Sequence, residues 1–246
     1  MTPSPQHGTP AGDATIAIRK LARQGGGDVQ ELMVLYALEG LLARVALSEY
    51  RDDFVLKGGV LLAAFAVRRP TKDIDFQAMR LDGDPIWPEP QLIELPRVLD
   101  LGFMPVVLLG YPLTMVLAEK IVTAVDRGVA NTRWRDFADV YKITRLHAVG
   151  ADELRASLVT VAEYRRVTLR PMLPALSMMG EMAQEKYRAW RTRSNREDEL
   201  PAEFSSLLAT VASFSDPVGR RGRPVHGAAF RRSGGWDSIP LCSSRR

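Results

Sequence analysis

At 246 residues with 46% hydrophobic side chains, the chain can bury one substantial core or two small ones, and one catalytic domain with a helical appendage is the economical reading. A single cysteine, Cys242, excludes internal disulfides and thiolate metal clusters, and no apolar run reaches the ~18–20 residues of a membrane span, so a cytoplasmic protein without a membrane role is expected. The net charge of +4 does not make the body a polycation: Val218–Arg246 carries seven arginines against Asp237, a local +6, which leaves −2 for residues 1–217.

In chain order, residues 1–27 read as a mobile N-terminal segment: Met1–Gly12 is rich in Pro, Gly and Thr, it shows no apolar signal-peptide region, and only Thr15–Arg23 has the pattern of a short helix. Asp28 with Glu31 resembles a capping box that opens a long helix, Val29–Glu49, with Leu35, Leu38, Leu42 and Val45 on its inner face. Residues 28–110 are taken as the catalytic core and 111–215 as a helical C-terminal part. Phe54–Leu56 is a short apolar strand, and Gly58-Gly59 turns it into an apolar helix over Val60–Val67. Adjacent glycines clear the Cβ atoms that would hold an anion away, a helix start offers N–H groups to phosphate, and Lys57 adds a full charge.

After Arg68-Arg69-Pro70 comes Thr71-Lys72-Asp73-Ile74-Asp75-Phe76, in which strand alternation puts Asp73 and Asp75 on one face. Two carboxylates so close repel unless they share a cation, and Mg²⁺ accepts one or two carboxylates together with substrate phosphates. Alone, a Gly-Gly is more often a plain turn and an Asp-x-Asp a solvated strand face. In this order they describe a metal–nucleotide site. From Phe76 to Glu119 the chain is short and Pro-rich (Pro85, Pro88, Pro90, Pro96), which suits central strands poorly.

Pro112 starts a helix to about Asp126 whose apolar side contains Lys120, a lysine that must snorkel or meet an anion. Arg133–Leu146 forms the next helix, with Asp136 and Asp139 about one turn apart. From Asp152 to about Ala212 the pattern stays helical, and residues 165–196 hold eight basic side chains against Glu181 and Glu185, with Tyr187 and Trp190 among them: an RNA-backbone face or an ordinary solvated helix surface. The remainder, 216–246, reads as a basic disordered tail.

Lys57-Gly58-Gly59 followed by Thr71-x-Asp73-x-Asp75 resembles the nucleotidyltransferase superfamily related to DNA polymerase beta, and within it the AbiEii and MenT toxins of bacterial toxin–antitoxin systems. The resemblance resumes at Ala118-Glu119-Lys120-Ile121 through Asp126-Arg127-Gly128 and at Arg133 to Val140, so it spans roughly residues 28–215. It implies an α+β fold, a polymerase-beta-like core with a small mixed sheet followed by helices. It implies an Mg²⁺-dependent transfer of nucleotides from an NTP, with tRNA 3′ ends as acceptor and a cognate antitoxin as partner. By the same resemblance Asp73 and Asp75 hold the metal and Lys57, Gly58, Gly59 and Thr71 the nucleotide. Lys120 meets the triphosphate, and Asp136 orients Lys120 or deprotonates the attacking hydroxyl, while Asp139 holds Arg135, Lys142 or another neighbour. Such enzymes have a third metal carboxylate on a later strand. Here either Asp82 or Asp84 substitutes, or a deletion after Asp75 has removed that part of the sheet and impaired activity. Transfer to a small molecule or a protein, and an inactive binding module, are the alternatives.

Overall fold

A computed structural model of the chain describes residues 6–25, 27–69, 71–79 and 85–219. It opens with two packed helices, α1 (Pro10–Gly25) and α2 (Val29–Ala46). Helix α1 starts at Pro10, ahead of the expected Thr15, because Ala14, Ile18 and Ala22 recur every fourth residue and form a buried stripe. Ala14 and Ile18 pack with Leu99, with Leu32, Met33 and Tyr36 around them. Small residues in a Pro- and Thr-rich stretch hid that stripe. At α2 the Asp28 carboxylate accepts the Glu31 amide at 2.9 Å, as the spacing predicts.

On the inner face of α2, Glu39 is only 3% exposed. It accepts Arg68 Nη1 at 2.8 Å and the Val98 amide at 2.8 Å, and Arg68 also donates to the Pro96 carbonyl. One carboxylate thereby ties α2 to the loop before Thr71 and to the segment around Pro96–Val98. Glu39→Ala should lower stability by about 1–3 kcal/mol, the range for leaving partly buried donors unsatisfied, read as a lower denaturant midpoint at constant m-value.

The sheet has four strands in the order β2-β1-β4-β3: β1 (Phe54–Lys57), β2 (Asp75–Ala78), β3 (Gln91–Leu95) and β4 (Val106–Gly110). The pairs β1·β2 and β3·β4 are antiparallel, and β1 runs parallel to β4. The fold is thus α+β with a small mixed sheet and many helices. Register sorts the faces. Leu56 pairs with Phe76 and lies beside Gly110, which puts Leu108 and Val106 on Leu56's side; Leu56, Leu108 and Val106 are buried and Phe76 is partly so. Lys57 pairs with Asp75, and Val55, Gln77, Leu109 and Val107 share that other face.

After β1 the helix is shorter than the apolar run Val60–Val67 suggested. One α-turn, α3 (Gly58–Leu61), is followed by a 3₁₀ turn, Leu62–Phe65. Ala66 then adopts φ 57° and the Val67 amide closes on the Leu62 carbonyl at 2.9 Å. With a single turn behind it, the glycine pair lacks the aligned peptide stack that gives a long helix its N-terminal field.

Helix α4 (Leu113–Arg127) runs through the middle of the molecule and packs on α5 (Trp134–Leu146), α6 (Ala151–Arg165) and α7 (Met172–Leu176). Two short helices, α8 (Met179–Met182) and α9 (Gln184–Arg193), lead to α10 (Phe204–Gly219). One buried cluster runs from Leu42 and Val55 through α4 to Val211 and Val218. Phe204 gathers the rings of Trp134, Phe137 and Tyr187 at 5.2, 5.5 and 5.1 Å between centroids. The Tyr187 hydroxyl donates to the Pro201 carbonyl at 2.8 Å, and burial pushes the phenol up to about 12.

Helix α10 continues to Gly219, past the boundary placed at residue 215. Val218 is 3% exposed and its carbonyl accepts Arg155 Nε at 3.0 Å. Residues 220–246, which carry the seven arginines, lie outside the described residues. Two truncations isolate the end of α10. Both remove the tail charge, but the chain ending at residue 217 should be about 1.5–3 kcal/mol less stable than the one ending at residue 219, because only the first loses the buried valine.

Candidate active site

Gly58 and Asp75 meet at the mouth of the β1·β2 pair. Gly58 has φ +74°, and a Cβ there would stand 1.8 Å from Asp75 Oδ2. A Cβ on Gly59 would stand 2.7 Å from Thr71 Oγ1 and 3.4 Å from Arg69 Nη1. The two glycines are therefore required by what lies against them, namely the carboxylate of Asp75, the hydroxyl of Thr71 and the guanidinium of Arg69. Thr71 is buried, and its hydroxyl donates to Asp73 Oδ1 at 2.8 Å, fixing a carboxylate that is otherwise exposed. Asp75 is exposed too. Among the described residues no cation pairs with either carboxylate. Two acceptor-only groups, Asp75 at the start of β2 and Asp73 two residues before it, solvent-facing and without a counter-charge among the described residues, fit a hard divalent cation.

Lys57 lies opposite Asp75, and its ammonium stands 5.5 Å from the centroid of the Tyr111 ring. Tyr111 is fully buried and its hydroxyl bonds to Gln77 Oε1. Gln77 and Tyr111 belong to this face, and the sequence reading missed both.

Behind the glycine turn, α4 and α5 contribute a line of charges. Lys120 Nζ lies 3.0 Å from Asp136 Oδ1 and 2.8 Å from Asp139 Oδ2. Arg69 Nε lies 3.2 Å from Asp139 Oδ2, and Arg133 Nε lies 2.6 Å from Asp136 Oδ2 without the alignment of a hydrogen bond. Asp136 and Asp139 are 4% and 1% exposed. The lysine on the apolar side of α4 therefore meets anions rather than snorkelling. Asp139 holds Arg69 and Lys120, not Arg135 or Lys142. Arg135 is exposed and Lys142 pairs with Glu199. Arg69 joins this cluster to Gly59, the contact that links Lys120 and Asp136 to the turn beside Asp75. The only local signal for Arg69 was a basic pair before a proline.

A third metal carboxylate is not formed by the described strands. On β4, the neighbour of β1, the positions on Asp75's face are Leu109 and Val107. Glu94 on β3 shares the face, but it pairs with Val107, about 13 Å down the strand from Tyr111 at ~3.3 Å per residue. Among the described residues no group of three or more His, Cys, Asp and Glu is placed to hold a metal. Asp82 and Asp84 lie outside them.

The basic stretch 165–196 is partly consumed by structure. Arg191 donates to the carbonyls of Leu200 at 3.1 Å and Glu197 at 2.5 Å. Arg196 pairs with Glu199 at 3.2 Å and Arg165 with Glu119 at 3.3 Å. Arg166, Arg170, Lys186, Arg188 and Arg193 are exposed. Among the described residues no helix is long and apolar enough to cross a membrane.

A comparison with curated proteins finds no match. A family model does match: the one described as "Nucleotidyl transferase AbiEii toxin, Type IV TA system" covers residues 40–85 and 77–216. Its two pieces overlap at 77–85. Together they span well over half of the sequence and take in Gly58, Asp75, Lys120 and Asp136. The chain belongs to the AbiEii nucleotidyl transferase toxin family of type IV toxin–antitoxin systems.

Proposed function

We propose that the protein transfers nucleotides from a magnesium-bound NTP to the 3′ end of tRNA. The observation that carries this reading is the solvent-facing pair Asp73 and Asp75, Asp75 set against Gly58 and neither with a counter-cation among the described residues. These two carboxylates would hold Mg²⁺, which when bound offsets charge on the triphosphate and on the departing pyrophosphate. Lys57, Thr71 and the Gly58-Gly59 turn would seat the phosphates, and Lys120 would face the triphosphate from α4. Asp136 has Lys120 on one oxygen and Arg133 beside the other, which suits a positioning group better than a base. Arg188, Arg193 and Lys186 offer exposed charge for an RNA backbone.

The test is incubation with labelled NTPs, Mg²⁺ and total tRNA, followed by mapping of the label. Label at tRNA 3′ ends, lost when Mg²⁺ is chelated, is the expected result. Label on protein or on a small acceptor instead would overturn the tRNA assignment. The lack of a third carboxylate among the described strands favours one further reading, a binding module, for which NTP would bind without transfer to any acceptor.

A further inference from the structure

Arg69 sits between two parts of the site. Its Nε lies 3.2 Å from Asp139 Oδ2, the same oxygen that Lys120 Nζ approaches at 2.8 Å, and its Nη1 lies against Gly59. The order Arg69, Asp139, Lys120, Asp136, Arg133 alternates in sign, with Lys120 held between both carboxylates. For Lys120 to turn to a phosphate it must loosen its hold on an aspartate. Asp139 is 1% exposed, so it can be left only if another cation remains on it, since an uncompensated buried carboxylate is strongly unfavourable.

We infer that Arg69 is a positioning residue: it keeps Asp139 neutralised so that Lys120 can turn toward the triphosphate, and it sets that lysine relative to the Gly58-Gly59 turn. The inference rests on the nucleotidyltransferase reading and adds to it a residue that none of the sequence motifs assigned. Without Arg69, Asp139 has Lys120 as its one remaining close cation among the described residues and holds it back. The deficit then lies in the competition for Lys120, and it should vanish when the competing carboxylate is neutralised.

The test uses the full chain and an NTP whose α and β phosphorus atoms are joined by a non-hydrolysable bridge, titrated calorimetrically with Mg²⁺ present. Arg69→Met should weaken binding by about tenfold or more, the scale of one charge-assisted contact, and in turnover should act through KM. Arg69→Lys, which keeps the charge but not the fork, should recover to within about threefold of the native chain. The deciding variant is Arg69→Met with Asp139→Asn, which should bind more tightly than Arg69→Met alone. Asp139→Asn by itself should bind at least as well as the native chain, a measurement that stands even if Arg69→Met fails to fold. A double variant as weak as Arg69→Met, or Asp139→Asn weaker than native, would mean that the Arg69–Asp139 pair serves only packing. Native protein that binds no Mg²⁺–NTP would overturn the nucleotidyltransferase reading itself, and Arg69→Met that binds like native would overturn only the role of Arg69.

Discussion

Asp73→Asn should reduce nucleotide transfer by about a thousandfold or more, the scale expected when a metal ligand that offsets transition-state charge is lost. The fold should hold. Asp73 is exposed, and among the described residues its side chain receives one hydrogen bond, from Thr71 at 2.8 Å, which an asparagine carbonyl oxygen still accepts. Removing one of two neighbouring negative charges also relieves repulsion in the metal-free protein, so the thermal midpoint should stay level or rise slightly. Activity and stability thus move apart. Mg²⁺-dependent labelling of acceptor by purified native and variant chains, with a melting curve for each, reads both. A variant within a few-fold of native activity would remove Asp73 from the metal site.

The parts of the site that the sequence made legible are those whose geometry is local. Gly58-Gly59, Thr71, Asp73 and Asp75 lie within one strand–turn–strand unit; alternation suggested that Asp73 and Asp75 share a strand face, whereas β2 begins at Asp75 and Asp73 lies in the segment before it. The resemblance singled out Lys120 and Asp136, and the structure adds their contact at 3.0 Å. What stayed hidden depends on distant pairs. Arg69 and Asp139 are 70 residues apart, and no local period announces that a guanidinium ahead of a proline will meet a helix buried behind the sheet. Glu39 and Arg68 are another such pair, 29 residues apart. The first turns of helix α1, ahead of the expected Thr15, escaped for a different reason: alanines can form a buried stripe while the segment as a whole reads as polar. The run Val60–Val67 promised a helix because its side chains are apolar, yet it is apolar because Val60–Ala63 and Val67 are buried in the core, and one α-turn with a 3₁₀ turn fulfils that equally well. Arg191, read as part of a charged surface, is bound to two backbone carbonyls of the loop it closes.

Gly58→Ala separates two reasons for a glycine at the heart of the site. The first is conformational: at φ +74° an alanine costs about 1 kcal/mol over glycine. The second is crowding. The new methyl would lie 1.8 Å from Oδ2 and 2.9 Å from Cβ of Asp75, and a backbone-anchored Cβ cannot swing aside as a flexible side-chain end can. Either β2 shifts, straining the Lys57↔Asp75 pairing, or Asp75 rotates away from its place against Gly58. Overpacking of this kind costs about 1–3 kcal/mol beyond the conformational share, and a displaced ligand should lower transfer by about a hundredfold. Gly102→Ala is the matched control, since Gly102 has φ +73° with nothing within 4 Å of where its Cβ would stand. It should lose only the conformational share and keep full activity. Equal stability losses in the two variants, with transfer intact in Gly58→Ala, would show that the approach of Asp75 to Gly58 is not what the site requires. A larger loss at Gly58, together with weakened Mn²⁺ binding followed by electron paramagnetic resonance, would tie the glycine turn to the metal carboxylates directly.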